Sequence, residues 1–487
     1  MAAGTAWVIA WRMATRLLGL LSTLILVRAL TPADFGLVAL GTGFIQAVEW
    51  LSWLGVEDGV IREKNPGRDI YDTGFTITGL SGLATGVVIM AAALPAGRFF
   101  HEPRLSVVLA VLAVGSVAEG FTNIGTVDFR RDFAFDKEFR FWILPRICGM
   151  LTTISVAVIF HSYWAMVAGI LVNRCLRVVF SYVMHPYRPR FTLRAWRKLI
   201  GYSLWTWMLG MASLARDRCD TMLIGRMLGA TEVGIYAVGM EVASLPSTEL
   251  IEPLCRAAFS GFSAARHEST SLGDTYLRIV ATTAVVTLPA GLGISLVAAP
   301  VVRLVLGPTW TEAIPLLQVL ALAGTTGLFG WISLTLFRAH GLMVDTVRIT
   351  LAAVVLRIGL IILGIRAEGL LGAAIGAGLA IVAEQAMYVA RTCRHFGLRL
   401  RDLAKELWRV LAACTMMAAV LQACGYGWAS GPQAGDIVLP IGIGMISYVG
   451  VLSAAWLAAG RPAGAETDML GLVTHATSRL RSRLGAG

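Results

Sequence analysis

Apolar residues run through this chain in blocks of about twenty, long enough to cross a hydrocarbon layer as helices, with short polar breaks between them. The blocks predict helices at Trp7–Leu30, Phe35–Val56, Phe75–Ala96, Leu105–Val127, Phe141–Phe160 and Tyr163–Met184. A second set follows at Leu199–Leu228, Val233–Leu254, Tyr276–Ala298, Ile314–Phe337, Val344–Ile365 and Leu370–Val389. Two more, Leu407–Trp428 and Ile437–Ala459, complete a six, six and two pattern. The short strands of alternating polarity that mark an outer-membrane barrel do not occur. The expected fold is an all-α integral membrane protein with about fourteen transmembrane helices.

The first two blocks and the seventh and eighth are joined by related hairpins. Arg28-Ala-Leu-Thr-Pro-Ala-Asp34-Phe-Gly36-Leu-Val-Ala39 returns as Arg226-Met-Leu-Gly-Ala-Thr-Glu232-Val-Gly234-Ile-Tyr-Ala237. In each copy Arg-x-Leu closes one apolar stretch, and an acid placed to cap the next helix opens another. The duplication predicts two related six-helix lobes. Such repeats mark transporters that rock one half against the other around a central site. The expected domains are an N-terminal lobe over 1–190, an interfacial helix with the C-terminal lobe over 191–395, two additional helices within 396–460, and a cytoplasmic amphipathic tail over 461–487.

Composition agrees: 487 residues, 56% hydrophobic and 15% charged, with a mean hydropathy of +0.72. Soluble domains sit nearer 45–50% apolar and about 25% charged. Basic residues crowd alternate loops, at Arg62/Lys64/Arg68, Arg130/Arg131/Lys137/Arg140, Arg188/Arg190/Arg194/Arg197/Lys198 and Arg391/Arg394/Arg399/Arg401/Lys405, with Arg479, Arg481 and Arg483 in the tail. The opposite loops are short and carry mainly Arg98, Arg104 and Arg303. The positive-inside rule then puts both termini in the cytoplasm. The net charge of +11 reflects topology and anionic lipid, not nucleic acid. Arg12 and Arg16 interrupt the first apolar stretch, which is too long for a cleavable signal and lacks an Ala-x-Ala site. Cys148, Cys175, Cys219, Cys255, Cys393, Cys414 and Cys424 lie in or beside the spans without Cys-x-x-Cys spacing, and read as small core residues. Phe191–Leu199 and Leu470–Leu484 read as interfacial anchors.

Candidate chemistry resides in ionisable residues at membrane depth, each costing about 2.5–3.5 kcal/mol at a span centre. They are Arg16, Glu49, Glu119, Arg174, Arg177, Arg216, Asp217, Arg218, Asp220, Glu241, Glu249, Arg357 and Glu384. Arg12 and Arg16 share a helix face that cannot point at lipid. In Arg216-Asp217-Arg218-Cys219-Asp220, Asp220 lies one turn from Arg216 and from Asp217, so part of the cluster can neutralise itself. Internal ion pairing that fixes helix register stands beside cavity lining as a reading of this set. A cationic lining of Arg16, Arg174, Arg177, Arg216, Arg218 and Arg357 suits an anionic substrate, because guanidinium stays charged and grips phosphate with two donors. Glu49, Asp220 and Glu241 are candidates for ion coupling, and Glu384 for a proton or cation site. Arg28 and Arg226 are expected to pair and cap near Asp34 and Glu232.

No motif points to catalysis: there is no phosphate-binding glycine loop, no His-Glu-x-x-His, no Gly-x-Ser-x-Gly and no metal-ligand spacing, so no metal or cofactor is expected. His101, His161, His185 and His340 sit at or beyond span ends. Pro95, Pro145, Pro246, Pro289 and Pro315 mark kinks or hinges.

The first hairpin resembles the opening signature of Wzx-type polysaccharide flippases of the multidrug/oligosaccharidyl-lipid/polysaccharide (MOP) exporter superfamily. So do Asp128-Phe-Arg-Arg-Asp-Phe-Ala-Phe135-Asp-Lys137, Ser162-Tyr-Trp164-Ala-Met-Val-Ala-Gly169 and His185-Pro-Tyr-Arg-Pro189-Arg, which look most like the colanic acid and succinoglycan exporters. The resemblance spans the whole chain and implies two six-helix lobes around a cationic cavity. It implies passage of an undecaprenyl-diphosphate-linked oligosaccharide by alternating access, with membrane lipids and a polysaccharide polymerase and co-polymerase as partners. Thr15-Arg16-Leu-Leu-Gly19 resembles the Ser-Arg-x-x-Gly run of lipid II flippases, whose Arg contributes to the cavity. Their further Arg is replaced here by Ser22, which argues against lipid II as substrate. An ion-coupled drug or metabolite antiporter of the same superfamily is the first alternative, which an acid-rich cavity would favour and the excess of Arg argues against. A membrane sugar polymerase or ligase is the second, and would need a large outward loop that this sequence lacks.

Overall fold

The computed structural model describes residues 14–15, 18–19, 21–52, 55–63, 66–199, 204–251, 272–428, 437–461 and 467. Arg12, Arg16, Cys255 and the tail helix expected at 470–484 lie outside them. The described residues are almost wholly helical. Nine helices among them are long and apolar enough to cross a membrane, and a bent pair makes a tenth candidate. The chain divides into two compact units, Met1–Ala237 and Val238–Gly487.

In the N-terminal unit α1 is described over residues 21–29. It is followed by α2 (Pro32–Leu51), α3 (Val56–Arg62), α4 (Arg68–Phe99) and α5 (Pro103–Gly120). Then come the short α6 (Asp128–Arg131), the long α7 (Phe135–Phe160) and α8 (Trp164–Met184), the single turn α9 (Trp196–Leu199), α10 (Leu204–Met227) and α11 (Ala230–Ala243), whose last turns pass into the second unit. The sequence explains the starts. Thr31 caps α2 and Asp34 reaches back to the Thr31 amide at 3.0 Å, forming a capping box with Pro32 in the first turn. Pro103 likewise stands in the first turn of α5, there without a side-chain cap.

Helix α4 lies along α5, α7 along α8, and α5 along α8, while α2 packs on both α5 and α10. Val56, Val60, Ile70, Phe75, Ile124 and Leu199 form a buried cluster at the end of the unit that carries the basic loops. Elsewhere the helices show large apolar side chains outward, such as Val87, Leu94, Ile159 and Phe160, as a lipid-facing surface requires.

In the C-terminal unit a π-helical turn, Ser247–Ile251, follows Pro246, whose missing N–H breaks the α ladder. Then come α12 (Leu272–Leu296), α13 (Ala313–Thr325), α14 (Gly327–Ala339), α15 (Met343–Phe396), α16 (Leu400–Ala423) and α17 (Val438–Ala458). The two blocks expected over 344–365 and 370–389 are the two arms of α15. They meet where Glu368 and Gly369 leave helical geometry, Gly369 at φ 59°, a value glycine adopts without strain. Tyr276, Val280, Leu328, Ile332 and Leu336 form one core, and Val410, Met417, Leu421 and Tyr448 another.

Candidate functional site

The repeated hairpins meet each other. A Cβ built on Gly36 would collide with the carbonyl of Ala230 and lie 2.8 Å from the Gly234 nitrogen. One built on Gly234 would collide with the carbonyl of Pro32 and lie 2.9 Å from the Gly36 nitrogen. Ala230 occupies in the second copy the place of Pro32 in the first, so the contact is reciprocal and the copies are related by a local two-fold axis. Backbones approach this closely only where both residues lack a side chain. Beside the crossing, Arg226 donates toward His101 Nδ1 at 3.1 Å and lies over the Phe99 ring. The expected pairing of Arg226 with Glu232 is therefore replaced by a partner from the α4–α5 turn.

Charge inside the spans concentrates where α2, α5 and α8 face one another. Arg174 Nη1 donates to Glu49 Oε1 at 2.6 Å and to Ser116 Oγ at 2.7 Å, and Arg174 Nε lies 3.4 Å from Glu119 Oε2. Arg177 Nη1 donates to Glu119 Oε1 at 2.6 Å, and Arg177 Nη2 to Asn173 Oδ1 at 3.1 Å. The Arg177 guanidinium also lies 5.0 Å from the Trp142 ring centroid. Both arginines that the sequence offered as cavity cations are thus held by carboxylates, two against two. Glu49, offered for ion coupling, is one of those carboxylates.

Arg146, midway along α7 after Pro145, was not singled out by the sequence reading. It has no ion pair among the described residues and is close enough to Arg177 to repel it. A Cβ on Gly19 of the Thr15–Gly19 run would sit 3.6 Å from its Nη2. It falls inside the fifth predicted span, Phe141–Phe160, which was the signal available for it, and the helix begins six residues earlier, at Phe135, which puts it midway.

Two polar cavities adjoin the network, of about 160 and 260 Å³. The first is lined by Arg130, Glu138, Trp142, Arg177 and Asn123 among others, the second by Glu49, Ser52, Ser81, Thr85 and Ser116, and Glu57 and Glu119 line both.

On α10 the charges diverge, as adjacent helical residues must. Arg216 Nε pairs with its neighbour Asp217 at 2.9 Å. Arg218 reaches α2 and donates to Gln46. Asp220, 4% exposed, accepts from Tyr236 and, at 3.3 Å, from Cys219 Sγ. In the C-terminal unit Arg357 and Glu384 are buried on the two arms of α15, and both have interaction partners. Glu241 is exposed on α11.

The same unit contains a large apolar cavity of about 910 Å³ between α12, α16 and α17, lined by Pro289, Gly293, Met417, Leu421, Gly444 and Trp456 among others. Among the described residues no Asp, Glu, Lys, Arg or His lines it, and Tyr448 and Ser453 bring hydroxyl groups to its wall.

The His185–Arg190 segment straps onto α4. Tyr187 donates to Asp72 at 2.8 Å, the Arg190 amide donates to the same oxygen at 2.6 Å, and Asn123 Nδ2 holds the Tyr187 carbonyl at 2.7 Å. Burial and the Asp72 carboxylate push the Tyr187 phenol well above its ordinary range. His185 Nε2 lies 3.4 Å from Asp128, which also accepts from Tyr71, but burial outweighs that carboxylate and lowers the imidazole pKa.

Residues 25–315 match the family described as "Polysaccharide biosynthesis protein". The chain is 24% identical over 364 residues to an uncharacterized membrane protein in the cps region of Klebsiella pneumoniae, covering 74% of this chain and 75% of that one. It is 23% identical over 311 residues to the lipopolysaccharide biosynthesis protein WzxC of Escherichia coli (strain K12), and that match covers 63% of each chain. The succinoglycan biosynthesis transport protein ExoT of Rhizobium meliloti (strain 1021) is 21% identical over 308 residues, 61% of each. Among solved structures, the lipid II flippase MurJ in an inward closed conformation superposes with a TM-score of 0.73 at 14% identity, over 93% of this chain and 100% of that one. An inward-facing multidrug MATE transporter of the MOP superfamily gives 0.62 at 17% identity, over 80% and 96%. At these identities the structural likeness is one of fold, that of multi-pass membrane transporters. The profile match extends over more than half of the sequence, and the chain belongs to the polysaccharide biosynthesis protein family.

Proposed function

We propose that the protein flips an undecaprenyl-diphosphate-linked oligosaccharide repeat unit across the bacterial inner membrane by alternating access, for exopolysaccharide or O-antigen export. The observation that carries this reading is the gathering of Arg146, Arg174 and Arg177 in the transmembrane helices of one unit, beside polar cavities. Cations at that depth are costly, and a diphosphate that accepts two donors from each guanidinium repays the cost. Arg16, Arg216, Arg218 and Arg357 are further candidates for substrate binding. The apolar cavity between α12, α16 and α17 fits a prenyl chain, which stays in hydrocarbon while the polar head crosses. Both termini are cytoplasmic on the distribution of loop cations. Transport requires no covalent step and no cofactor, and the polymer-forming enzymes are the expected partners.

A second reading, an ion-coupled antiporter, draws on the carboxylates Glu49, Glu57, Glu119 and Glu138 that line the same cavities. Deletion of the gene in its own host separates the two. Under the flippase reading, lipid-linked repeat units accumulate in the inner leaflet and surface polymer disappears; the intact gene restores export and Arg146→Gln does not. Unchanged surface polymer in the deletion strain would reject that reading.

A further inference from the structure

Glu119 touches both paired guanidiniums, with Oε1 2.6 Å from Arg177 Nη1 and Oε2 3.4 Å from Arg174 Nε. It also lines both polar cavities and keeps 31% side-chain exposure, so water reaches it. Two oxygens spread across two guanidiniums is the arrangement a phosphoryl group makes with such a pair. Glu49 differs, because Ser116 Oγ also donates to it at 2.7 Å and holds it in place. Among the described residues, the hydrogen bonds and ion pairs of the Glu119 carboxylate are to the guanidiniums alone.

We propose that Glu119 is an internal stand-in for the anionic headgroup: a diphosphate entering at Arg174 and Arg177 displaces its carboxylate, which then takes up a proton from water. This inference rests on the reading of the headgroup as a diphosphate. With Glu119 ionised, the two arginines and two glutamates sum to zero, and an incoming diphosphate meets no net attraction from them. Protonation turns the carboxylate into a neutral acid and leaves one positive charge for the ligand. No bond of the ligand breaks, and the proton comes from solvent. The other charged groups facing this site are Glu49 of α2, Glu57 of α3, Arg130 of α6, and Glu138 and Arg146 of α7. Helix α4 contributes the hydroxyls of Thr78, Ser81 and Thr85. Binding and proton uptake are therefore linked, and headgroup release on the other side returns the proton with the carboxylate.

The test is calorimetric titration of inorganic diphosphate into the full-length protein in lipid nanodiscs, at several pH values and in buffers of different ionisation enthalpy. The wild type is expected to take up close to one proton more per diphosphate than Glu119→Gln. Its apparent Kd should weaken relative to that variant by up to about tenfold per pH unit once Glu119 is ionised. The ligand's own protonation is common to both proteins and cancels in the comparison. Glu119→Gln should bind more tightly at pH 8, Arg177→Gln should lose at least tenfold in affinity, and Glu119→Asp should keep the proton uptake, which serves if the amide variant does not purify. Equal proton uptake by wild type and Glu119→Gln, or full affinity in Arg177→Gln, overturns the stand-in role alone. Failure of the wild type to bind diphosphate overturns the headgroup reading and this inference with it.

Discussion

Gly36 and Gly234 hold equivalent places in the two copies of the repeated hairpin, and each sits where the other copy's backbone leaves no room for a Cβ. Overpacking at such a site costs about 1–3 kcal/mol and separates the elements that meet there. Gly36→Ala and Gly234→Ala are each expected to reduce export severely while the protein stays in the membrane. A cysteine pair placed across the crossing should then cross-link less than in the parent. Undiminished cross-linking would show that the contact is not a tight one.

The Arg174–Glu49 pair is largely shielded, at 15% and 31% side-chain exposure. Removing one partner of a buried pair strands the other and costs 3–5 kcal/mol. Arg174→Gln should therefore lose about 3 kcal/mol of stability, the low end of that range because water reaches the glutamate. The double variant Arg174→Gln/Glu49→Gln should recover part of it. Thermal unfolding in detergent measures both, and purely additive losses would mean the two side chains do not interact.

His185 is held neutral, because burial lowers its pKa below the ordinary 6.5 despite the nearby Asp128 carboxylate. A histidine with a lowered folded-state pKa contributes full stability above its unfolded value and loses it as pH falls through that value, since the unfolded chain binds the proton first. Melting temperature should therefore fall from pH 7.5 toward pH 5.5 in the wild type, and fall less in His185→Gln. Identical slopes would remove His185 as the cause.

Gly293 lines the apolar cavity, and a Cβ there meets nothing within 4 Å. Gly293→Ala should fold at least as well as the parent, gaining up to about 1 kcal/mol in helix propensity. Gly293→Phe projects a ring into the cavity and should block export at unchanged protein level. Export by the Phe variant at the parental rate would argue that no prenyl chain uses this cavity.

Most of the architecture was legible in the chain. Blocks of about twenty apolar residues leave the backbone no option in lipid except helix. The capping box at Thr31 and Asp34 is local chemistry that a few adjacent residues settle among themselves. The repeat itself is visible in the spelling of the two hairpins. What each charge touches is different in kind. Arg174 lies 125 positions from Glu49 and Arg177 lies 58 from Glu119, and no periodicity along one helix predicts which of its faces meets which neighbour. Sequence therefore counted the guanidiniums but not their partners, passed over Arg146, and assigned Arg226 to Glu232 instead of His101. Low-dielectric surroundings make every buried charge depend on groups within a few ångströms, and those distances are set only when the helices pack.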